Sequence, residues 1–299
     1  MPLLAFGLGC GLTAALAWFP RHLLRSRLPD FRVGGPDAGY AVAVAGRRLK
    51  GVERNLSGLT YNPNSDSLFA VINKPEQVVE IDLCGVVRRI LPVGFGADLE
   101  GISHVEGDLF VIASERNYMI WGAEIDGDTQ KVMPVSLQTL SVSFNQSSNE
   151  GIEGLSWDHL GRRLFIANEK DPLKIVEVLG LQSFLLGQQG NLALRIWSQQ
   201  PSLVDLVGDI SSISFNESWR AMALLSHESR RVYRLDGSRS AALLLRLERG
   251  HHGLAADVDQ PEGLAFGPDG SIYVVAEPNL FYRFAPVGTA GPGPASQPC

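Results

Sequence analysis

Cysteine is scarce in this sequence of 299 residues, which has it only at positions 10, 84 and 299. Three cysteines so far apart are too few for a disulfide framework, and they lack the spacing of a zinc site. We therefore expect Cys10, Cys84 and Cys299 to be structural bystanders.

An excess of positive charge is also missing. The 26 Lys and Arg residues are outnumbered by 32 Asp and Glu, which gives a formal net charge of −6. A general nucleic-acid-binding protein carries a basic surface, so we expect no nucleic-acid partner. The sequence also shows no Ser-His-Asp arrangement, phosphate-binding glycine loop or H-x-x-x-H pair. The glycine-rich stretch 94–101 joins two strand-like segments instead of opening a helix, as a phosphate loop would.

Long apolar runs are absent except at the start, where residues 2–20 carry no charged side chain. A bilayer is spanned by about 17–25 apolar residues, so we predict a transmembrane anchor or signal anchor over 1–20 and a linker over 21–39. A buried helix and a signal peptide cleaved after "ALA" at 15–17 are the alternatives. Arg21, Arg25 and Arg27 follow the run, and by the positive-inside rule they favour the cytoplasm for what comes next.

Short apolar strands separated by turns fill the rest of the chain, and they recur as five similar units. The units are "NLSGLTYNPNSDSLFAVIN", "DLEGISHVEGDLFVIAS", "GIEGLSWDHLGRRLFIAN", "DISSISFNESWRAMALLS" and "QPEGLAFGPDGSIYVVA". Their equivalent positions are Ser57, Glu100, Glu153, Ser211 and Glu262, spaced by 43, 53, 58 and 51 residues. Periods of this size with four short strands per unit indicate a β-propeller.

The fourth strand is missing from the last unit, and the start of the repeat region supplies it. Residues 40–49, "YAVAVAGRRL", precede the first unit as a fourth strand would. We therefore predict an all-β fold, a five-bladed propeller over 40–286 with four-stranded antiparallel blades, in which 40–49 pair with 279–284. A β-sandwich is the alternative. The Pro/Gly/Ser-rich residues 287–299 are expected to form a disordered tail.

The repeats bring carboxylates to the propeller axis, because the first strand of each blade lines the central channel. Glu100, Glu153 and Glu262 would face one another there, and close anions require protons, cationic side chains or a metal ion. Oxygen ligands without histidine or thiolate favour calcium, so Ca²⁺ is the predicted cofactor. A water-filled polar channel is the alternative. An outer set of oxygen groups is predicted around the metal: Ser57, Glu115, Asn168, Glu169, Asp209, Ser211 and Glu277.

The motifs "NLSGLTYNP", "NEGIEGLSWD", "LLSHESRRVYRLD" and "QPEGLAF" resemble the SdiA-regulated family, the YjiK-type bacterial proteins. The resemblance covers roughly residues 40–285. It implies an N-terminal membrane segment, a five-bladed propeller outside the cytoplasm and a bound calcium ion, and it implies no particular activity. His227 departs from the pattern, since an acidic residue is expected there. The resemblance favours the inner membrane with the propeller facing the periplasm, against the arginines.

Two functions are compatible with this pattern. The first is a membrane-anchored calcium-binding propeller that binds a small molecule or a protein on its mouth at the cell envelope. The second is a metal-dependent hydrolase, similar to the calcium lactonases and arylesterases, with the metal at the propeller axis. A hydrolase also needs a base near the metal, for which the sequence offers His104, His251 and His252.

Overall fold

A computed structural model describes residues 39–116, 118–142, 151–170, 173–198, 207–236 and 241–287, together with Cys299. The predicted anchor over 1–20, almost all of the linker, and residues 288–298 of the predicted tail lie outside this range. Within the described part of the chain, no helix has the length and apolar character needed to cross a membrane.

Twenty strands form five separate sheets of four strands each. Blade one is β2 Leu56–Asn62, β3 Ser67–Asn73, β4 Glu76–Ile81 and β5 Val87–Pro92. Blade two is β6 Leu99–Glu106, β7 Leu109–Ser114, β8 Met119–Glu124 and β9 Pro134–Ser141. Blade three is β10 Ile152–Asp158, β11 Arg163–Asn168, β12 Lys174–Leu179 and β13 Ala193–Ser198. Blade four is β14 Ser212–Asn216, β15 Ala221–Ser226, β16 Arg231–Leu235 and β17 Ala241–Arg246.

Blade five combines the two ends of the described chain. Its strands are β18 Pro261–Phe266, β19 Ile272–Ala276 and β20 Leu280–Pro286, and β1 Tyr40–Arg48 is its outer strand. β1 runs antiparallel to β20, from Tyr40 opposite Pro286 to Arg48 opposite Leu280. The predicted five-bladed propeller and its closure by the early strand are therefore confirmed.

One backbone feature recurs in the turn between the first two strands of every blade. Each turn holds a residue in the left-handed conformation, with φ between 47° and 78°. Glycine and Asp or Asn adopt this conformation most readily, which explains the "NSD", "EGD" and "PDG" segments of three blades. The residues concerned are Asp66, Gly107, Arg162, Arg220 and Gly270.

The hydrophobic core is divided among the five interfaces between adjacent blades, with one cluster at each. In β3, Leu68 and Ala70 belong to the cluster shared with blade five, whereas Phe69 and Val71 belong to the cluster shared with blade two. Alternate side chains of a strand point to opposite faces, so both faces of this strand are buried. The second strand of each blade is apolar almost throughout for this reason.

A short helix lies beside the outer strand of blade two. Ser136 of that strand, β9, donates a hydrogen bond to Leu185 O at 2.5 Å. Leu185 ends this helix, α1 (Leu181–Leu185), which the strand pattern did not predict. Leu181 and Leu185 are buried in the core between blades two and three, which accounts for the helix.

The prediction that the cysteines are bystanders was wrong for two of them. Cys84 and Cys299 form a disulfide, with their Cα atoms 5.3 Å apart. The residues are 215 positions apart in the sequence, and only the closed ring brings them together.

Candidate functional site

The inner strands β2, β6, β10, β14 and β18 contact one another in sequence around the propeller axis, and β18 contacts β2 to close the ring. Glu100, Glu153 and Glu262, hereafter the axial glutamates, are each the second residue of their inner strand. The structure thus places all three predicted ligands at the same end of the channel, its mouth.

A β-bulge occurs at each axial glutamate. Pairing with the second strand skips from Leu99 to Gly101, from Ile152 to Gly154 and from Pro261 to Gly263, which leaves the glutamate unpaired. A bulge turns a side chain out of the regular alternation and is common beside functional sites. The bulge therefore sets the direction of each glutamate side chain. The glycine that follows leaves room for the neighbouring inner strand, which lies close.

The axial glutamates repel one another and resist ionisation. Burial raises the pKa of Glu153 well above its ordinary value, and repulsion from Glu100, Glu115, Glu169 and Glu262 adds to this. Burial, with repulsion from Glu100 and Glu277, raises the pKa of Glu262 to about 8. The pKa of Glu100 is also raised, mainly by burial. A proton or a cation at the mouth would relieve this repulsion.

The outer carboxylates, Glu115, Glu169 and Glu277, interact electrostatically with the axial glutamates. They follow the second strands of blades two, three and five, and all three are half-buried. Burial and repulsion from Glu100 and Glu169 raise the pKa of Glu115 to about 7. Burial also raises the pKa of Glu277, against an opposing effect from His227.

Cations on the rim of the mouth pair with carboxylates other than the axial ones. Lys74 and Arg116 both contact Asp98, at 3.0 and 2.6 Å. Lys170 bridges Glu169 and Glu228, at 3.2 and 3.3 Å. Among the ion pairs that the structure describes, no Lys or Arg contacts an axial glutamate.

Asn73 was not predicted as a site residue; it is the last residue of β3, the second strand of blade one. Its Nδ2 donates a hydrogen bond to Glu100 Oε1 at 2.7 Å. Its Oδ1 is buried and has no hydrogen-bond partner among the residues that the structure describes. A buried amide oxygen without a partner carries a desolvation cost, and it is an acceptor available to a cation or a water at this point.

The remaining predicted oxygen groups have structural partners. The hydroxyls of Ser57 and Ser211 donate to carbonyl oxygens of the next inner strand, Glu100 O at 3.0 Å and Pro261 O at 2.7 Å. Asp209 accepts hydrogen bonds from Ser226 Oγ and from the backbone N–H groups of His227 and Glu228. Asn168 Nδ2 donates to Lys170 O. These contacts hold the ring and the mouth loops in place.

The histidine at the mouth is His227, which the sequence marked only as a departure from the family pattern. Its Nδ1 lies 3.4 Å from Glu262 Oε1. The histidines offered by the sequence have other partners. His104 Nε2 lies 2.9 Å from Gly107 O at the other end of β6, and His252 bonds Tyr40 O and the backbone N–H of Arg246. His251 donates its backbone N–H to Glu248 O.

The donor set of the mouth is of one chemical kind, namely carboxylate and amide oxygens with a single imidazole. Such a set matches a hard divalent cation, and calcium in particular takes 6–8 oxygens at 2.3–2.6 Å. In the part of the chain that the structure describes, no three His, Cys, Asp or Glu side chains converge closely enough to hold a metal ion as they stand.

Three solved structures of other proteins show a likeness to this chain. A luciferin-regenerating enzyme has a TM-score of 0.52 at 12% identity, over 84% of this chain and 96% of that one. A nidogen/laminin complex gives 0.46 at 13% identity, over 75% and 73%. A streptogramin B lyase gives 0.40 at 11% identity, over 77% of this chain but only 65% of the lyase. At 12% identity the likeness to the luciferin-regenerating enzyme concerns the fold alone.

A comparison with protein-family models is more specific. The SdiA-regulated model matches residues 36–285, from just before β1 to the penultimate residue of β20. The match covers all five blades and each of the axial glutamates. The chain therefore belongs to the SdiA-regulated family.

Proposed function

We propose that this protein is a calcium-binding propeller at the cell envelope, anchored by residues 1–20 with the propeller facing the periplasm. Its mouth would bind a small molecule or another protein. The observation that carries the calcium proposal is the group of axial glutamates on equivalent bulges, whose pKa values are raised by burial and by repulsion between neighbouring carboxylates.

Glu100, Glu153 and Glu262 would hold the ion, together with Asn73 Oδ1. The carboxylates lie apart in the described structure, so binding requires their side chains to turn toward the axis. The ion would supply the positive charge that relieves their repulsion. Ser57, Ser211 and Asp209 would then support the site through the backbone contacts that they already make.

Calcium should therefore stabilise the protein, and its removal by a chelator should lower the melting temperature. Binding to the folded state alone contributes about 2.7 kcal/mol when free calcium is 100 times Kd. Glu153→Gln removes one ligand charge at nearly constant volume and should abolish most of this response. Glu53→Gln is the matched control, because Glu53 is exposed and the net charge changes equally.

Differential scanning fluorimetry of the three proteins, with calcium and with chelator, measures this directly. The contradicting result is a melting temperature that does not change with calcium and that is higher in Glu153→Gln than in the parent protein at neutral pH. Relief of repulsion without a metal would produce that rise, and it would favour the water-filled channel.

A hydrolase is the second candidate, and the position of His227 favours it. An imidazole 3.4 Å from a proposed metal ligand is placed to act as a base on a water or substrate at the ion. We expect any calcium-dependent hydrolysis of aryl esters or lactones to be lost in His227→Gln and retained in His251→Gln. Activity that persists in His227→Gln, or that survives chelation, would exclude this assignment.

A further inference from the structure

The Cys84–Cys299 disulfide lies on the seam of the propeller, meaning the interface between blade five and blade one. Cys84 belongs to the turn between β4 and β5 of blade one, and Cys299 follows β20 of blade five. The Cα separation of 5.3 Å falls within the usual range for disulfides. β1 pairs with β20 within blade five and leads directly into blade one, so the disulfide adds a covalent link across the seam to this non-covalent closure.

The turn that carries Cys84 is built to present it. Asp82 Oδ1 accepts the backbone N–H groups of Cys84 and Val86, at 2.9 and 2.7 Å. Gly85 has φ of 82°, and a Cβ at this position would lie 2.5 Å from the ring of Phe281 in β20. The turn therefore packs directly on blade five, and its shape is fixed by hydrogen bonds that do not involve the disulfide.

Two arginines of blade five contact the cysteines. Arg47 of β1 donates a hydrogen bond to Cys84 O. Arg283 of β20 is 5% exposed, lies 2.7 Å from Asp269, and has its Nη1 3.3 Å from Cys299 Sγ. Blade five thus contributes both the strand that closes the ring and the groups that contact each cysteine.

We propose that this disulfide is a redox-dependent latch on the seam, and that the propeller matures in a compartment that oxidises thiols. The two thiols lose two protons and two electrons as the S–S bond forms. An exogenous disulfide accepts them, its own S–S bond breaks, and two thiols are released. Glutathione and thioredoxin keep cytosolic cysteines reduced, so the latch would stay open on that side of a membrane.

The arginines after the apolar run favour a cytoplasmic propeller, whereas the proposed orientation is periplasmic. A disulfide that forms in cells would favour the periplasmic side. It involves none of the residues proposed to bind calcium, so either proposal stands if the other fails. The test is a count of thiols in the full chain. Cells that express the protein are quenched with acid, and the denatured protein is then labelled with a maleimide-polyethylene glycol. Reduction before labelling should add two reactive thiols. No gain on reduction would overturn the latch.

The effect of the latch on the seam is tested by thermal melting with and without reductant. Reduction should lower the melting temperature by roughly 5–10 °C, because the open chain regains entropy over a long loop. Cys10→Ser should respond to reductant like the parent protein. Cys299→Ser should melt at the temperature of the reduced parent protein, with or without reductant. Amide exchange should rise first in β1, β20 and residues 82–86. Equal melts for the oxidised and reduced parent would overturn the proposal.

Discussion

Several buried acidic side chains within the blades are paired with arginines. Arg163 lies 2.7 Å from Asp158 and 2.8 Å from Glu177, and Glu80 lies 2.5 Å from Arg89. At the mouth, by contrast, carboxylates face carboxylates. A site that keeps such repulsion in the folded state pays a cost in stability, which a ligand or a proton can remove.

Without calcium, stability should therefore fall as pH rises from about 4.5 to about 8. A carboxyl whose pKa is raised on folding binds its proton more tightly in the folded state. The stability that this proton contributes is full below the unfolded pKa and is lost as pH rises through the folded pKa. For Glu262 that value is about 8, and for Glu115 it is about 7. The loss should reach roughly a few kcal/mol.

Urea unfolding in chelator between pH 5 and 8.5 measures this slope. Glu262→Gln should flatten it and be more stable than the parent protein at pH 8, whereas Glu53→Gln should keep the parental slope. Glu80 and Asp269 have lowered pKa values, so the stability that they contribute is lost only at acidic pH. They do not affect the slope between pH 5 and 8.5. A parental slope in Glu262→Gln would contradict the placement of Glu262 at the mouth.

At the scale of elements, the bulged inner strands approach one another so closely that side chains are excluded at the positions after the axial glutamates. A Cβ on Gly263 would lie 2.9 Å from the backbone of Gly58 and 2.5 Å from Val275. A Cβ on Gly58 would lie 2.8 Å from Glu100 O, and its φ is 51°. The glycines are therefore required by packing around the axis.

Gly263→Ala should destabilise the protein by about 1–3 kcal/mol, because the backbone of the neighbouring strand cannot move aside cheaply. Gly127→Ala is the control, since nothing lies within 4 Å of a Cβ there. Urea midpoints at one fixed pH give the comparison. Equal midpoints for the two variants would show that the inner strands are less tightly packed than the structure indicates.

At the scale of the whole molecule, the ring depends on an outer strand taken from the other end of the described chain. β1 pairs with β20, and Val44 packs in the cluster at the seam with Tyr273 and Phe281. Without β1, the edge of β20 would be open to other chains.

Removing residues 1–49 should therefore give an aggregating protein with a lower melting temperature. Removing residues 1–38 is the control, because it keeps β1 and deletes only residues before it. Size-exclusion chromatography with light scattering and a thermal melt distinguish the two. A monomeric 50–299 fragment as stable as 39–299 would count against closure by β1.

The sequence by itself determined the repeat, the strand order and the alignment of the axial glutamates. These features are periodic, and a period survives in a linear string because each blade is folded from contiguous residues. The closure by residues 40–49 followed from the same period, since one unit lacked a strand that the start of the region supplied. The family also followed from local motifs.

Only the tertiary structure decided which groups meet across blades. The bulges depend on how an inner strand pairs and packs between its neighbours, and alternation of side chains along a strand does not predict them. His227 of blade four reaches Glu262 of blade five, and Cys84 reaches Cys299 across 215 residues. Such contacts depend on the rotation from one blade to the next and on closure of the ring, and no local pattern carries that information.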